Sequence, residues 1–465
     1  MNSSIFRSYD IRGKYPSQIN EKLAFWLGQS LGKVFSSNKL VLVGHDARLS
    51  SPSLYFSLLA GLKKAGFKKI LKIGFATKPM LIFLTRFKKA GGGIMITASH
   101  NPKEENGFKL VDSQGIAIGG EKIFKKILSS GKVDFKDDFL LKGKIKKDIS
   151  LAPTQFHKLY VNFLSRFLKV EKPLKVIVDC SNGATGPVWE LLKGEYQKRG
   201  VTIILLNQQP DGNFPAHGPD PLKKFALTQV AKRVKQEKAN LGIVFDGDGD
   251  RVAFVDNLGR RVFPPEIWRL FLVRERRLKT IYSITNDFDM KILSSDLAVP
   301  LDYPVFSSWV GPISMEAKLK EKRADLGLED SGHYYFKDFF FSDSGILAAI
   351  LVINKVSLLP YSLAQFLDFL PSIKRSLPIN IPLSQSKGEL IVSRIGLFFE
   401  KRKAKVKWGD GILVDLGKSW FSLRKSHTQN LLRLSLRALD WWSLLSLKKE
   451  VLGLIKKYKF QLRES

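Results

Sequence analysis

The feature that most constrains the fold is a recurring order of segments along the chain. A short apolar run leads into a polar or glycine-rich turn, and a stretch with helical spacing follows. Alternating strands and helices of this kind predict α/β domains whose sheets are covered by helices. The predicted strands are residues 40–44, 69–74, 93–97, 174–179 and 239–245. Ligands of such sheets gather where strands pass into loops at their carboxyl ends, so we expect functional residues there.

Length and composition restrict the class of protein. A chain of 465 residues with 44% hydrophobic content is globular and too long for one core, which indicates three or four domains. Its one cysteine excludes an internal disulfide and favours the reducing cytoplasm. The apolar stretches stop short of the roughly 20 residues that span a bilayer. The first residues lack the pattern of a secretory signal, so we expect a cytoplasmic protein with no membrane partner.

The charge balance is strongly basic. Lysine and arginine total 76 against 43 acidic residues, a formal net charge of +33. Such a field attracts phosphorylated ligands, nucleic acid or anionic lipid, but a lysine-rich proteome or adaptation to salt also produces it. The basic residues are spread along the chain without an RNA-binding signature. Nucleic acid is therefore not an expected partner.

Three segments are candidate junctions between domains. They are a lysine-rich stretch at 142–153, a predicted hairpin at 254–264 and a proline-containing linker at 370–382. Beyond them, strands are predicted around 411–416 and 421–424. The chain then closes with an amphipathic helix, whose apolar face is predicted to pack on its own sheet rather than on a membrane. The residues assigned to that face are Trp441, Leu444, Leu445, Leu452, Ile455 and Tyr458.

The first chemical motif reads TASHNP at residues 97–102, directly after a predicted strand, with NGFK at 106–109. It places Ser99 at a junction between strand and loop. A serine hydroxyl holds a phosphoryl group only where cations or donors offset its charge of about −2. His100 and Lys109 are candidates for that offset and for proton transfer. An ordinary turn is the competing interpretation of this motif taken alone.

The second motif reads DGDGDR at residues 246–251, after an apolar run. The glycines free the backbone to turn, so three carboxylates can converge on a hard cation such as Mg²⁺. A calcium EF-hand is disfavoured because Arg251 and Asn257 stand where its loop needs Gly and Glu. A phosphatase with an aspartyl nucleophile is also disfavoured, since it usually has Thr or Val in place of Asp250.

The third motif reads GLEDSGH at residues 327–333. In an extended loop, Glu329, Ser331 and His333 would point the same way because they alternate. Glu329 is suited to accept hydrogen bonds from sugar hydroxyls, and His333 titrates in the range of a proton shuttle. A purely structural loop is an equal alternative for this motif alone.

The fourth motif reads RKSHT at residues 424–428. An arginine fork, hydroxyls and free backbone amides in one short loop are typical of a phosphate cradle. Taken alone, this motif favours an ordinary surface loop.

Together and in this order, the four motifs resemble the α-D-phosphohexomutase superfamily, especially its phosphomannomutase/phosphoglucomutase branch. Residues 6–13, 210–215 and 288–291 resemble further family segments. The resemblance implies three related mixed-sheet α/β domains and a smaller C-terminal α+β lid domain around a central cleft. On that basis we predict a phosphoserine-loop, a metal-binding, a sugar-recognition and a phosphate-binding domain, at residues 1–150, 151–256, 257–371 and 372–465.

The resemblance also implies a role for each motif residue. Ser99 would carry the phosphoryl group and, with Asp246, Asp248 and Asp250, would hold Mg²⁺. The predicted catalytic residues are Ser99, His100, Lys109, Arg251 and His333. The predicted substrate-binding residues are Tyr9, Arg12, Lys291, Glu329, Ser331, Arg424, Ser426, His427 and Thr428.

The implied reaction interconverts hexose 1-phosphate and hexose 6-phosphate, of mannose or glucose, through a hexose 1,6-bisphosphate. A phosphosugar is the expected partner, bound by a monomer or homodimer. A phosphoglucosamine mutase stays an alternative, as does a nonenzymatic descendant that binds sugar phosphate or nucleic acid. The intact Ser99 and Asp trio argue against that descendant. Departures from the family pattern at His45, Pro312 and His427 leave the sugar preference open.

Overall fold

The computed structural model describes residues 3–129, 154–275, 277–283, 285, 287–295, 304–376, 378–383, 385–425 and 431–461. The predicted junction at 142–153 and the predicted site residues Ser426, His427 and Thr428 lie outside these ranges. The described residues form four sheets in chain order, each with its own helices.

The first sheet has the strand order β1-β5-β4-β2-β3, with β6 paired to β5. Strands β2, β3 and β4 are mutually parallel, and β5 runs antiparallel to β4. Its elements are β1 (Ile11–Lys14), α1 (Glu21–Ser30), β2 (Val41–His45), α2 (Ser51–Lys64), β3 (Ile70–Phe75), α3 (Lys78–Phe87), β4 (Gly92–Ile96), β5 (Glu105–Asp112), β6 (Ala117–Ile118) and α4 (Gly120–Leu128).

The second sheet has the order β11-β10-β9-β7-β8. Strand β7 is parallel to β8 and β9, while β10 is antiparallel to β9 and forms the predicted hairpin with β11. Its elements are α5 (Gln155–Leu164), β7 (Leu174–Asp179), α6 (Gly186–Gln197), β8 (Val201–Leu206), α7 (Lys224–Glu237), β9 (Leu241–Phe245), β10 (Val252–Asp256) and β11 (Arg261–Val262).

The third sheet has the order β13-β12-β14-β15-β16. Strand β12 is parallel to β13 and β14, and β15 is antiparallel to β14. Its elements are α8 (Pro264–Phe271), β12 (Thr280–Ser283), α9 (Asp287–Ser295), β13 (Val305–Ser308), α10 (Pro312–Lys322), β14 (Leu326–Leu328), β15 (Tyr334–Phe336), β16 (Ser342–Asp343), α11 (Gly345–Leu358) and α12 (Leu363–Asp368).

These three sheets share one topology, which confirms the prediction of three related mixed-sheet domains. In each, three parallel strands lie in the order second, first, third, and a fourth strand runs antiparallel beside the third. The third parallel strands, β4, β9 and β14, lead into the loops that hold Ser99, Asp246 and Glu329. β4 and β9 are buried along their whole length, which explains their continuous apolar sequences.

The fourth sheet is antiparallel, with the order β17-β22-β21-β20-β19 and β18 paired to β22. Helices α13 and α14 pack against it. Its elements are β17 (Lys374–Arg375), β18 (Ile379–Pro382), α13 (Gln385–Lys401), β19 (Lys405–Gly409), β20 (Gly411–Asp415), β21 (Ser419–Lys425), β22 (Leu431–Ala438) and α14 (Trp441–Gln461).

Two expectations for this last domain were wrong in detail. The 370–382 segment is not a plain linker, because β17 and β18 already pair with β22. The helix α14 does pack on its own sheet, but Trp441 and Leu445 are exposed while Leu447 and Val451 are buried. The buried face follows Leu444, Leu447, Val451 and Ile455, a narrower stripe than the one assigned from the sequence.

The first three domains share a hydrophobic core that is largely distinct from the core of the fourth domain. One continuous cluster includes buried side chains from each of the first three sheets, whereas most of the fourth sheet has a cluster of its own. Leu413 and Trp420 are the members of the fourth sheet that join the larger cluster. No helix in the described ranges has both the length and the apolar composition needed to cross a bilayer.

Candidate active site

The loops after β4 and β9 meet, although they belong to different sheets. The Ser99 hydroxyl donates to Asp246 Oδ2 across 2.6 Å and lies 3.5 Å from Asp250 Oδ1. Gly247 permits this approach, because a Cβ there would lie 2.7 Å from the Ser99 carbonyl oxygen. The structure thus brings the predicted phosphate carrier against the predicted metal ligands.

The backbone of Ser99 is held in a strained conformation. Its φ of 53° lies in the left-handed region, which few non-glycine residues occupy. Its N–H donates to Thr97 Oγ1 at 2.8 Å. The fully buried Arg48 donates to the carbonyl oxygens of Ser99 and Asn101, at 2.8 and 2.7 Å. These contacts fix the position of the hydroxyl.

The Asp246, Asp248 and Asp250 side chains are fully buried and converge closely enough to share a metal ion. Asp246 Oδ1 accepts the N–H groups of Gly249 and Arg251. Asp248 Oδ1 is buried and has no hydrogen-bond partner among the described residues. A buried carboxylate oxygen without a donor is costly, and a hard cation would satisfy it. The buried acidic cluster therefore fits a metal such as Mg²⁺.

The pKa values of Asp246 and Asp250 are shifted in opposite directions. Burial, together with the charges of Asp250 and Asp248, raises the pKa of Asp246 well above its usual range. Burial also opposes the charge of Asp250, but Lys109 and Lys78 outweigh it and hold its pKa well below its usual range. Lys109 Nζ lies 2.8 Å from Asp248 Oδ2 and 2.6 Å from Asp250 Oδ2. These carboxylates outweigh the burial of Lys109 and raise its pKa, so it is a cation.

The third loop adds an imidazole to the same place. Arg251 Nε donates to His333 Nε2 at 2.9 Å, which puts the ring proton on Nδ1. His333 Nδ1 lies 2.7 Å from Asp343 Oδ2. Residues 329–333 form the tight turn between β14 and β15. The predicted extended loop was therefore wrong, because Gly332, at φ 84°, reverses the chain.

One cavity is lined by most of the predicted site residues. Arg251, Glu329 and Ser331 reach it from the second and third domains, and Arg424 reaches it from the fourth. Glu329 accepts from Gly311 N at 2.6 Å and from the hydroxyl of Ser331 at 3.1 Å. The predicted residues that line the cavity are Tyr9, Arg12, His100, Lys109, Asp250, Arg251, Glu329, Ser331, His333 and Arg424.

Of two further predicted site residues, Lys291 lies away from the cavity and His100 lines it. Lys291 lies apart from the cavity lining, half-exposed on α9, and its Nζ pairs with Asp415 Oδ2 at 3.1 Å. His100 lines the cavity, and its Nδ1 has no partner within the described ranges. Burial and the nearby cations, led by Arg251, hold its pKa well below its usual range, so the imidazole is neutral.

Sequence reasoning missed four residues of the site: Arg48, Lys78, Asp343 and Arg433. Lys78 lies three positions after the end of β3, where the strand-end rule points to function, but no motif marked it. Arg433 interrupts an apolar strand with alternating spacing, which is a signal for a polar face. Asp343 gives no local signal, because its ion-pair partner Lys78 comes from the first domain.

A fixed serine hydroxyl and a buried acidic trio lie beside a cavity lined by several cations. This arrangement defines a phosphoryl-transfer enzyme with a small phosphorylated ligand. Comparison with known families agrees. Models described as phosphoglucomutase/phosphomannomutase α/β/α domains I, II and III match residues 3–132, 158–259 and 272–372. The chain belongs to the phosphoglucomutase/phosphomannomutase family of the α-D-phosphohexomutase superfamily.

Individual relatives extend the similarity over nearly the whole chain. A phosphomannomutase/phosphoglucomutase of Pseudomonas aeruginosa is 31% identical, covering 94% of this chain and 92% of the relative. A phosphomannomutase of Vibrio cholerae is 32% identical over 97% and 98%. The solved structure of a family protein from Burkholderia thailandensis shares the fold with a TM-score of 0.80, at 24% identity and coverage of 99% and 98%.

Proposed function

We propose that this enzyme is a phosphohexomutase that interconverts hexose 1-phosphate and hexose 6-phosphate, of mannose or glucose. Ser99 is the phosphoryl carrier, and a hexose 1,6-bisphosphate is the intermediate. The observation that carries the proposal is the 2.6 Å contact of the Ser99 hydroxyl with Asp246, beside a cavity that Asp250 and several cations line. Membership of the family supports the same reaction class.

The reaction begins with phosphorylated Ser99 and a bound hexose monophosphate. The bond between phosphorus and Ser99 Oγ breaks as a bond forms to the free sugar hydroxyl, giving the bisphosphate. The hydroxyl proton passes to a base, and the serine oxygen regains a proton. Lys109 is protonated between two carboxylates and suits the acid role. His100, whose imidazole is neutral, and His333 are candidates to accept a proton.

Negative charge is offset mainly by fixed groups of the chain. Arg251 and Lys109 line the cavity beside Ser99 and oppose the charge of the transferring group. Asp246, Asp248, Asp250 and the Ser99 oxygen would hold Mg²⁺. When bound, the ion would supply charge neutralisation to the phosphoryl oxygens.

The second half of the reaction requires the bisphosphate to turn end over end. The phosphate that is not reacting then needs a separate site. Arg424 and Arg433 line the cavity from the fourth domain and provide that site. Because most of the fourth sheet has its own core, this domain is suited to move while the sugar turns. Ser426, His427, Thr428 and Lys291 stay predicted substrate contacts.

Two alternatives remain for the substrate and class. A phosphoglucosamine mutase would use the same chemistry, and a nonenzymatic descendant would bind sugar phosphate or nucleic acid. The test is an assay with glucose, mannose and glucosamine 1-phosphates, Mg²⁺ and a trace of hexose 1,6-bisphosphate. Turnover of glucose or mannose 1-phosphate is expected. Turnover of the glucosamine ester alone would favour the first alternative, and no turnover with salt-sensitive RNA binding would favour the second.

The predicted domain limits, a cytoplasmic location and a monomeric or homodimeric state stay predictions. The buried free thiol of Cys180 is compatible with a reducing compartment.

A further inference from the structure

Lys78 joins three domains at one buried point. Its ammonium lies 2.7 Å from Asp343 Oδ1 in the third domain and 3.1 Å from Asp250 Oδ2 in the second. Its backbone N–H also donates to the Asp248 carbonyl oxygen at 3.0 Å. The residue itself is the first of α3 in the first domain and is 4% exposed.

The position is unfavourable for a cation. The amino end of a helix carries partial positive charge, so a lysine at its first residue is repelled. Burial further opposes the ammonium, but Asp343 and Asp250 outweigh it and raise the pKa of Lys78. A buried residue that violates such a local preference is typical of a functional constraint rather than of a contribution to stability.

The Lys78 ammonium also lies beside a second group of side chains that could hold a metal ion. Asp250, His333 and Asp343 have ligand atoms close enough to hold a metal. Lys78 Nζ contacts both of those carboxylates, so it supplies the positive charge that a second ion would bring. Asp343 in turn lies 2.7 Å from His333 Nδ1.

We propose that Lys78 is a positioning residue that sets the geometry of the metal ligand Asp250 and, through Asp343, of His333. The proposal rests on the proposed function and adds a residue to it. Lys78 acts as a fixed internal cation: it orients Asp250 within the acidic trio and holds the Asp343 carboxylate beside the imidazole of His333. Lys78 acts on the reacting groups through these two carboxylates.

The test compares Lys78→Met, which keeps most of the side-chain volume, with Lys72→Met at an exposed position of β3. We expect Lys78→Met to raise the Mg²⁺ concentration for half-maximal activity about 10- to 100-fold, as partners of metal ligands do. The kcat should fall, while the KM for the sugar phosphate changes much less. Lys72→Met should match the wild type. A folded Lys78→Met protein with unchanged Mg²⁺ dependence would overturn the proposal, even if its melting temperature fell.

Two further measurements apply if the wild type lacks mutase activity or if Lys78→Met does not fold. The rise in melting temperature with added Mg²⁺ reports metal binding without activity, so it tests Lys78 even if the wild type lacked mutase activity. That lack would contradict the proposed function alone. If Lys78→Met does not fold, Lys78→Ala with ethylammonium in the vacated space replaces it. Activity or Mg²⁺ binding that rises with the amine supports the proposal, and independence from the amine overturns it.

Discussion

Arg424 and Arg433 lie directly opposite each other on β21 and β22, so both guanidinium groups lie on one face of the fourth sheet. Like charges in this arrangement destabilise a sheet. Both residues line the cavity, and burial, with the charges of Arg424 and Arg251, lowers the pKa of Arg433 to about 10. A pair of this kind is stabilised when an anion lies between its members, which is why we assign it to the phosphate that is not reacting.

Replacing Arg433 with Gln should weaken substrate binding and stabilise the free protein. Loss of a charged hydrogen bond to phosphate is worth about 1.5–3 kcal/mol, so the KM should rise about 10- to 100-fold. Without ligand, the melting temperature should rise because the repulsion from Arg424 is removed. Steady-state kinetics and thermal unfolding check both. Arg402→Gln, at an exposed pair with Glu450, is the control, and an unchanged KM for Arg433→Gln would contradict the assignment.

Asp248→Asn should impair metal binding more than folding. Its Oδ1 is the buried carboxylate oxygen that lacks a described partner, so removing its charge weakens the site for a hard cation. We expect activity to require about tenfold more Mg²⁺ or to be lost, with a smaller rise in melting temperature on adding Mg²⁺. The exposed Asp338→Asn is the control. Metal dependence equal to that of the wild type would refute the ligand assignment.

His157 should make stability fall in mild acid. It is fully buried at the start of α5, where its Nδ1 accepts the Thr154 N–H, and burial lowers its pKa to about 4. The unfolded chain binds this proton near pH 6.5, whereas the folded chain binds it only near pH 4. Stability is therefore lost as the pH falls through this window, by about 3 kcal/mol at most.

The matched variant for this effect is His157→Gln, because Gln preserves the acceptor of the capping box without titrating. Urea unfolding at several pH values should show a flatter stability profile for the variant between pH 6.5 and 4. Parallel profiles for the two proteins would show that His157 is not the source of the acid sensitivity.

Arg437→Met should destabilise the junction between the third and fourth domains. The buried Asp289 carboxylate accepts from Arg375 Nε at 3.1 Å and from Arg437 Nε at 3.2 Å. Removing one partner of a buried ion pair costs about 3–5 kcal/mol. Calorimetry should show a lower unfolding temperature, whereas Arg402→Met should change stability by less than about 1 kcal/mol. Equal effects of the two substitutions would be inconsistent with this account.

The fold was largely predictable because its signals are local. Apolar runs that are buried in the structure, such as β4 and β9, end at the TASHNP and DGDGDR motifs, so strand ends and functional loops coincide in the sequence. The face of α14 was less predictable. Exposed Trp441 and Leu445 follow the same apolar spacing as buried Leu444, and only the docked sheet distinguishes them.

The rest of the site depends on contacts between domains. Lys78 and Asp343 are 265 positions apart and contact each other only because three sheets meet. Lys291 shows the opposite case: its segment resembles a substrate-contacting one, yet its side chain pairs with Asp415 away from the cavity. Such pairings are set by the arrangement of the domains, which a single sequence does not display.

The central claim is that Ser99 accepts and returns a phosphoryl group beside the acidic trio. The most direct measurement is peptide mass spectrometry of the protein after incubation with hexose 1,6-bisphosphate and Mg²⁺, and again after excess hexose monophosphate. We predict a gain of about 80 Da on the peptide containing Ser99, and its loss in the second step. A stoichiometric phosphoryl group on another residue, or none on an active enzyme, would contradict the account.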